Sequence, residues 1–505
     1  MVAGDQIRKY PTMPEILDEL KRIKDIGFPI IAINLVGYLK GLFSVVCMGR
    51  LGRLELAGGA LAVGFANITG YSVLSGLAMG MEPVCSQAFG SRNMSLVSVT
   101  LQRTILMLLF ASVPIGLLWI NLESIMLRLH QSADVTQVAS HYCLFALPDL
   151  IANSLLQPLR IYLRSKGTPE PVMWCTLLAV LLHLPLTNFL ANALHLGVPG
   201  VAIASFCTNL NTLLFLMCYM LYTRPSATPE PLMAPLPLTP LPPSPPAFSS
   251  KSIGEEWGML LRLAFPSCLA VCLEWWWYEF MTLLAGYLSN PHVTLATSAI
   301  VIQTTSLMYT LPMALSASVS TRVGHELGAG RPHKAWLATI VSMVLALLVS
   351  FIGLIWTTLG RGLWGRVFTE DHDVLELTMT VLPIIGLCEL VNCPQTTGCG
   401  VLRGSARPSI GAAINLYSFY LVGTPVAVVL AFVFGFGFVG LCYGLLAAQI
   451  ACALSMVTVI SKTDWDRESL KARDLVGRGF ACVHENQTPD SGEEALFLKE
   501  VVFET

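Results

Sequence analysis

The sequence predicts an all-α polytopic membrane protein with twelve transmembrane helices in two pseudo-symmetric six-helix lobes. Three observations carry that prediction. First, 54% of the 505 residues are apolar and only 12% are Asp, Glu, Lys or Arg, with a mean hydropathy of +0.65. A soluble domain carries about 25% charge, and half of that cannot cover so long a chain in water. Second, the apolar residues gather in twelve stretches, each close to the roughly 20 residues a span requires. Third, the stretches repeat at a near-constant offset: Phe28-Pro29 recurs as Phe265-Pro266, Phe89-Gly90 as Leu327-Gly328, Leu163-Arg164 as Leu402-Arg403 and Gly200-Val201 as Gly440-Leu441, 237 to 240 residues later. Six spans per repeat is an even number, so both halves enter the membrane with the same polarity. Such parallel repeats are a transporter architecture.

The expected spans are 26–48, 56–80, 101–121, 137–163, 171–194, 198–222, 258–288, 293–319, 336–358, 374–401, 408–432 and 436–460. The fourth is the least apolar, with Asp149, Asn153, Gln157 and two prolines. Residues 1–25 are polar and charged, without the apolar run and small-residue cleavage site of a secretory signal, so they read as a cytosolic tail. The first lobe covers 26–224 and the second 253–461. Between them, 225–252 reads as a cytosolic linker, because ten of the twenty-two residues from Pro225 to Pro246 are proline. Residues 462–505 read as a solvated cytosolic tail, with an Asn486-Gln487-Thr488 sequon on the side where glycosylation does not occur.

Lys and Arg set the orientation. Twenty-four fall on the side of the two termini and five (Arg50, Arg53, Arg128, Arg361, Arg366) on the other, with Lys40 inside the first span. Both termini are therefore expected in the cytosol. The lipid bilayer is the expected environment, and thirty basic against thirty-two acidic residues leave no excess that suggests nucleic acid. The fourteen cysteines are scattered through apolar stretches with no Cys-x-x-Cys pair and read as small hydrophobes, so neither metal nor disulfide is expected.

Polar residues deep in spans mark candidate sites, since an isolated charge there costs several kcal/mol. Glu274 and Glu279 fall near the middle of the seventh span. A carboxylate at that depth finds a partner or takes up a proton, and both states serve a carrier that loads on one side and unloads on the other. Tyr278 is four residues from Glu274, on the same face, and is a candidate to hold it. Glu279 lies about 140° round the helix. Glu389, Asn392 and Gln395 share a face of the tenth span. Lys40 either snorkels toward the nearer surface, pairs with Glu82 or attracts an anionic solute. Asn34, Asn67 and Gln87 supply neutral contacts for a cavity wall. Trp275, Trp276 and Trp277 sweep about 200° of helix, so at least one, with Trp275 and Trp277 the candidates, faces the cavity and suits flat or cationic solutes. The alternative for each is packing or hydrogen bonding with no transport role.

Local strings then resemble the multidrug and toxic compound extrusion (MATE) transporters, in particular the plant DETOXIFICATION type. They are Leu54-Glu55-Leu56-Ala57-Gly58-Gly59, Gly80-Met81-Glu82-Pro83-Val84-Cys85-Ser86-Gln87-Ala88-Phe89-Gly90 and Val198-Pro199-Gly200-Val201-Ala202 in the first half. In the second they are Cys272-Leu273-Glu274-Trp275-Trp276-Trp277-Tyr278-Glu279, Arg322-Val323-Gly324-His325-Glu326-Leu327-Gly328 and Gly400-Val401-Leu402-Arg403-Gly404. The resemblance covers about residues 10–460. It implies a central cavity that alternates between the two sides, and export of a small organic solute (a xenobiotic, secondary metabolite, organic acid or hormone) against protons, from the cytosol into the vacuole or another endomembrane lumen or across the plasma membrane. It implies a proton or substrate carboxylate at Glu274. The usual plant pattern has an Asp where this chain has Asn392, which cannot titrate; Glu389, one turn earlier, takes over the proton or leaves Glu274 to carry it alone.

Other classes leave weaker traces. No Gly-x-x-x-x-Gly-Lys-[Ser/Thr] phosphate loop is present, no catalytic pair or histidine ligand spacing suggests an enzyme, and no cofactor is implied. A channel-like anion conductor and a non-transporting membrane sensor or scaffold are the alternatives.

Overall fold

The computed structural model describes residues 11–129, 131–223 and 252–485, with side chains from 257 to 477 in the last segment. Thirteen long helices dominate the described residues. They are α1 (Met13–Leu51), α2 (Arg53–Gly90), α3 (Met94–Ile120), α4 (Ala133–Ser165), α5 (Glu170–Ala193), α6 (Val198–Tyr222), α7 (Ser252–Ala285), α8 (Pro291–Gly328), α9 (Pro332–Leu359), α10 (His372–Gly404), α11 (Pro408–Val433), α12 (Gly437–Ser461) and α13 (Trp465–Glu485). Their starts follow local chemistry. Glu15 Oε2 accepts from the Thr12 backbone N–H at 2.8 Å to cap α1, Asn93 caps α3 through Leu96 N–H, and Asp371 caps α10 through Asp373 and Val374.

Eleven of the first twelve helices are long and apolar enough to cross a membrane. The exception is α4. It is 33 residues long, but Asp149, Arg160 and Arg164 dilute its apolar run. The helices also overrun the expected spans: α1 starts at Met13 rather than 26, and α2 and α8 continue to Gly90 and Gly328. The α2 and α8 extensions are buried because they form part of the contact between the two halves, whereas the α1 extension buries only Glu19 and Ile23. The outer surface is apolar, with Phe110 and Leu421 72% and 67% exposed, a belt too large for an aqueous surface. The chain is an integral multi-pass membrane protein.

The repeat is visible in the backbone. Left-handed residues occur in pairs: Arg92 with Gly330, Gly167 with Ala406, His195 with Gly435 and Gly197 with Gly437. Each pair is separated by the offset seen in the sequence. Wide π turns close α5 at Phe189–Ala193 and α11 at Val429–Val433. Gly200 then packs on the Leu190 and Ala191 backbone as Gly440 packs on Leu430 and Ala431.

The halves meet along two antiparallel pairs. α1 lies against α8, from Glu19–Arg322 to the Asn34 Nδ2 hydrogen bond on the Thr310 carbonyl at 3.1 Å. α2 lies against α7, where Trp276 Nε1 donates to the Ile68 carbonyl at 3.1 Å and Gly76 and Gly80 abut the Cys268 and Ala264 backbones. Past these contacts Gly37, Gly41 and Gly64 face no heavy atom within 4 Å. The halves are therefore closed at the end bearing the start of α1 and open beyond.

A side chain at Gly80 would fall onto the Ala264 backbone. Gly80→Leu is expected to destabilise by at least about 1–3 kcal/mol, read as a lower melting temperature in detergent. Gly37→Leu, in open space, is expected to stay within about 0.5 kcal/mol of the wild type. Equal melting for all three proteins would contradict this packing.

Helix α13 departs from the solvated tail the composition suggests. Its buried Ala472 joins the core of Val319, Val323 and Leu327 in the second half, and Val476 joins the first-half core with Leu96 and Val97. One helix thus spans both halves at the closed end. The sequon and the rest of the tail beyond 485 lie outside the described residues, as does the proline-rich linker up to Lys251.

Candidate functional site

A cavity opens between α2, α7, α8, α10 and α11. Helix periodicity explains its walls. On α7, Ser267, Val271 and Glu274 recur at spacings of four and three; on α10, Thr396, Cys399 and Arg403 recur at three and four. Ser75, Trp275, Tyr309, Ser316 and Asn415 complete the polar lining. Pro266 and Pro312 lie in the helices on either side, where each removes a backbone hydrogen bond and permits a bend.

Glu274 is 7% exposed and lies within electrostatic reach of Arg403 and of Glu389. Arg403 is the hub. Its Nη2 donates to Ser316 Oγ at 2.8 Å, its Nη1 contacts Met79 Sδ at 2.8 Å, and its Nε lies 3.5 Å from Glu82 Oε2. Glu82 also receives Arg164 Nη2 at 2.6 Å. One guanidinium therefore stands between the cavity carboxylate of the second half and a buried carboxylate of the first.

Behind this wall, Glu389 accepts a hydrogen bond from Asn392 Nδ2 at 3.1 Å, and Asn392 Oδ1 accepts from Thr396 Oγ1 at 3.2 Å. Asn392 is thus a relay that holds Glu389 against the cavity-lining Thr396. Gln395 is fully buried, with neither amide atom partnered among the described residues, and does not line the cavity.

Other expected residues are placed differently. Trp275 lines the cavity, but Trp277 is fully buried, packed on Phe419 and donating to Thr424 Oγ1 at 3.2 Å. Tyr278 stacks edge-on against Trp277 and makes no hydrogen bond to Glu274; the rotation of α7 turns it into the second-half core. Glu279 is half-buried and outside the lining, and Asn67 sits in the π turn Asn67–Tyr71 of α2. Gln87 and Asn34 join the halves instead of walling the cavity: Gln87 Nε2 donates to the Gly404 carbonyl at 3.0 Å. Lys40 does not pair with Glu82, which Arg164 and Arg403 occupy; it faces Asp149 and Arg160.

Sequence reasoning missed Arg403, Tyr309 and the surroundings of Asp149. Arg403 counts among the loop charges in the sequence, because an arginine near a span end reads as interfacial. Its one signal is its place between Gly400 and Gly404, which pack against the Ser316 and Ser320 backbones and bring α10 close enough to α8 for the contact.

The sequence model of the MatE family matches residues 29–190 and 266–429, one segment in each half. The chain belongs to the MATE family. Among curated relatives, this MATE protein is 62% identical to Protein DETOXIFICATION 55 of Arabidopsis thaliana over 97% of both chains. It is 48% identical to Protein DETOXIFICATION 48 of the same plant, over 94% of this chain and 86% of that one. Among solved structures, the eukaryotic MATE transporter AtDTX14 superposes with a TM-score of 0.83 at 31% identity, over 92% of this chain and all of that one. The Vibrio cholerae MATE transporter VcmN, at 16% identity and a TM-score of 0.76, shares the fold. As a MATE protein the chain is a membrane transporter and not an enzyme.

Proposed function

We propose that this MATE protein is a proton-coupled antiporter that exports small organic compounds from the cytosol by alternating access, with both termini cytosolic. The observation that carries the reading is Arg403, shared between Glu274 in the cavity and Glu82 at the contact between the halves. Two carboxyls, Glu274 and Glu389, occupy one water-poor site with that guanidinium, and like charges at such a site disfavour double ionisation. A proton taken up by Glu274 from the open side weakens its hold on Arg403 and lets the empty carrier reverse. In the conformation open to the other side the proton leaves, Glu274 regains its charge beside Arg403 and solute loads, so proton and solute cross in opposite directions. The excess of Lys and Arg on the terminal side orients the closed end to the cytosol, so the open end faces the lumen or the exterior.

The test is uptake of an organic solute panel into sealed proteoliposomes under an imposed pH gradient. Accumulation that stops when an ionophore collapses the gradient is the expected result. Uncoupled electrical current would assign a channel, no flux of any solute would assign a sensor or scaffold, and either would overturn the antiporter.

A further inference from the structure

The first half holds a second buried polar centre, apart from the cavity. Asp149, midway along α4, is 3% exposed. Its Oδ2 accepts from the Tyr71 hydroxyl at 2.7 Å and its Oδ1 from Asn209 Nδ2 at 2.8 Å, so neutral donors from α2 and α6 occupy both oxygens. Two cations share these surroundings: Lys40 of α1 and Arg160 of α4 lie within electrostatic reach of Asp149 and of each other. Neither forms a salt bridge or a side-chain hydrogen bond among the described residues, and Arg160 Nε is buried without an acceptor. The neighbouring His183 ring is taken up by Ser44 Oγ at 3.2 Å and Thr208 Oγ1 at 2.8 Å. Two positive charges and one negative leave the centre with an uncompensated cation inside the bundle, where unpaired charge is costly.

The centre is accessible. Asn34 touches the second half through the Thr310 carbonyl. One and two turns further along α1, Gly37 and Gly41 meet no heavy atom within 4 Å. The open cleft therefore runs past the half-buried Lys40, which lies between them.

We propose that this centre receives the carboxylate of a small organic monoanion. The planar fork of Arg160 takes both carboxylate oxygens, and the Lys40 ammonium adds a point charge from the facing helix. Asp149, whose two oxygens are taken by Tyr71 and Asn209, leaves the Arg160 guanidinium without a salt bridge. The proposal rests on the transporter reading and gives it a substrate class: the first half binds the anion while the acids of the second half carry the proton.

The test is calorimetric titration of benzoate into the full-length protein in lipid nanodiscs in chloride-free buffer, with benzamide as the uncharged analogue. Expected are saturable benzoate binding, no benzamide binding, a loss of at least about tenfold in Lys40→Met and retention in Lys40→Arg. Arg160→Gln is expected to match Lys40→Met; should it fail to fold, the two Lys40 variants decide. Absence of saturable benzoate binding, equal affinity for benzamide, unchanged affinity in Lys40→Met, or complete displacement by equimolar chloride would each overturn the organic-carboxylate site. Benzoate binding in a wild type that shows no gradient-driven transport would sink the antiporter and leave this site standing.

Discussion

Replacing Glu274 by Gln is expected to abolish gradient-driven transport while the protein still folds and inserts. Glutamine matches the glutamate in size and keeps its hydrogen-bonding capacity, so the cavity wall formed with Trp275, Tyr309 and Arg403 loses only a titratable charge. Arg403 retains Ser316, Met79 and Glu82, so no cation is left bare. What disappears is the group that binds and releases the proton. One proton exchanged per uncharged solute supplies about 2.3 kcal/mol at 100 mV, equivalent to an accumulation ratio of about fiftyfold. Wild-type vesicles should approach that ratio, and Glu274→Gln vesicles should stop near one. Solute accumulation at the wild-type ratio in the variant would remove Glu274 from the mechanism. Glu389→Gln should be milder, because Asn392 already meets that side chain with a neutral donor.

The second large effect is expected at the closed end. Arg322 on α8 is 7% exposed and binds Glu19 of α1 through two contacts, Nε to Oε1 at 2.7 Å and Nη2 to Oε2 at 2.8 Å, with Glu326 Oε1 at 2.6 Å. Glu326 is also served by Arg331 at 2.7 Å. Arg322→Met therefore leaves Glu19 without its cation in the contact between α1 and α8, while Glu326 keeps Arg331 and, at 3.7 Å, Arg22. Breaking a buried pair from one side costs about 3–5 kcal/mol. Because the pair joins the two halves, that cost falls on the conformation closed at this end. The equilibrium should shift toward its opening by about two to four orders of magnitude. The readout is labelling of Ser75→Cys, a cavity-lining position, by a membrane-impermeant thiol reagent applied from the terminal side, in a background without other reactive thiols. Faster labelling in Arg322→Met, partly reversed by adding Glu19→Gln, is expected. Unchanged labelling would show that this ion pair does not hold the end shut.

Much of the architecture was legible because it depends on properties that survive in a one-dimensional pattern. Apolar length gives spans, and the Gly200/Gly440 and Leu163/Leu402 correspondences reappear as paired turns with left-handed residues at Gly197 and Gly437. Depth also located Glu274 and Trp275, since a charged group far from a span end is too costly against lipid and turns to protein or to a cavity. Rotation about a helix axis is less legible. Tyr278 and Trp277 turn into the Phe419 core, and no spacing within α7 determines which neighbour each face meets. Long-range partners are less legible still. Glu82 finds Arg164 rather than Lys40, because the end of α4 reaches the end of α2. Helix α13 carries a signal that its charge obscures: Ser469, Ala472 and Val476 recur at helical spacing and are buried, but the residues around them make the segment read as solvated.

The measurement that bears most directly on coupling is proton movement on addition of solute, recorded with an internal pH dye in proteoliposomes of the wild type and of Glu274→Gln. Solute-dependent proton flux opposite in direction to the solute, present in the wild type and lost in the variant, is the predicted result. Solute flux in the wild type with no accompanying proton movement would contradict proton-coupled antiport and leave Asn392, where the more usual plant pattern has an aspartate, as the residue to explain.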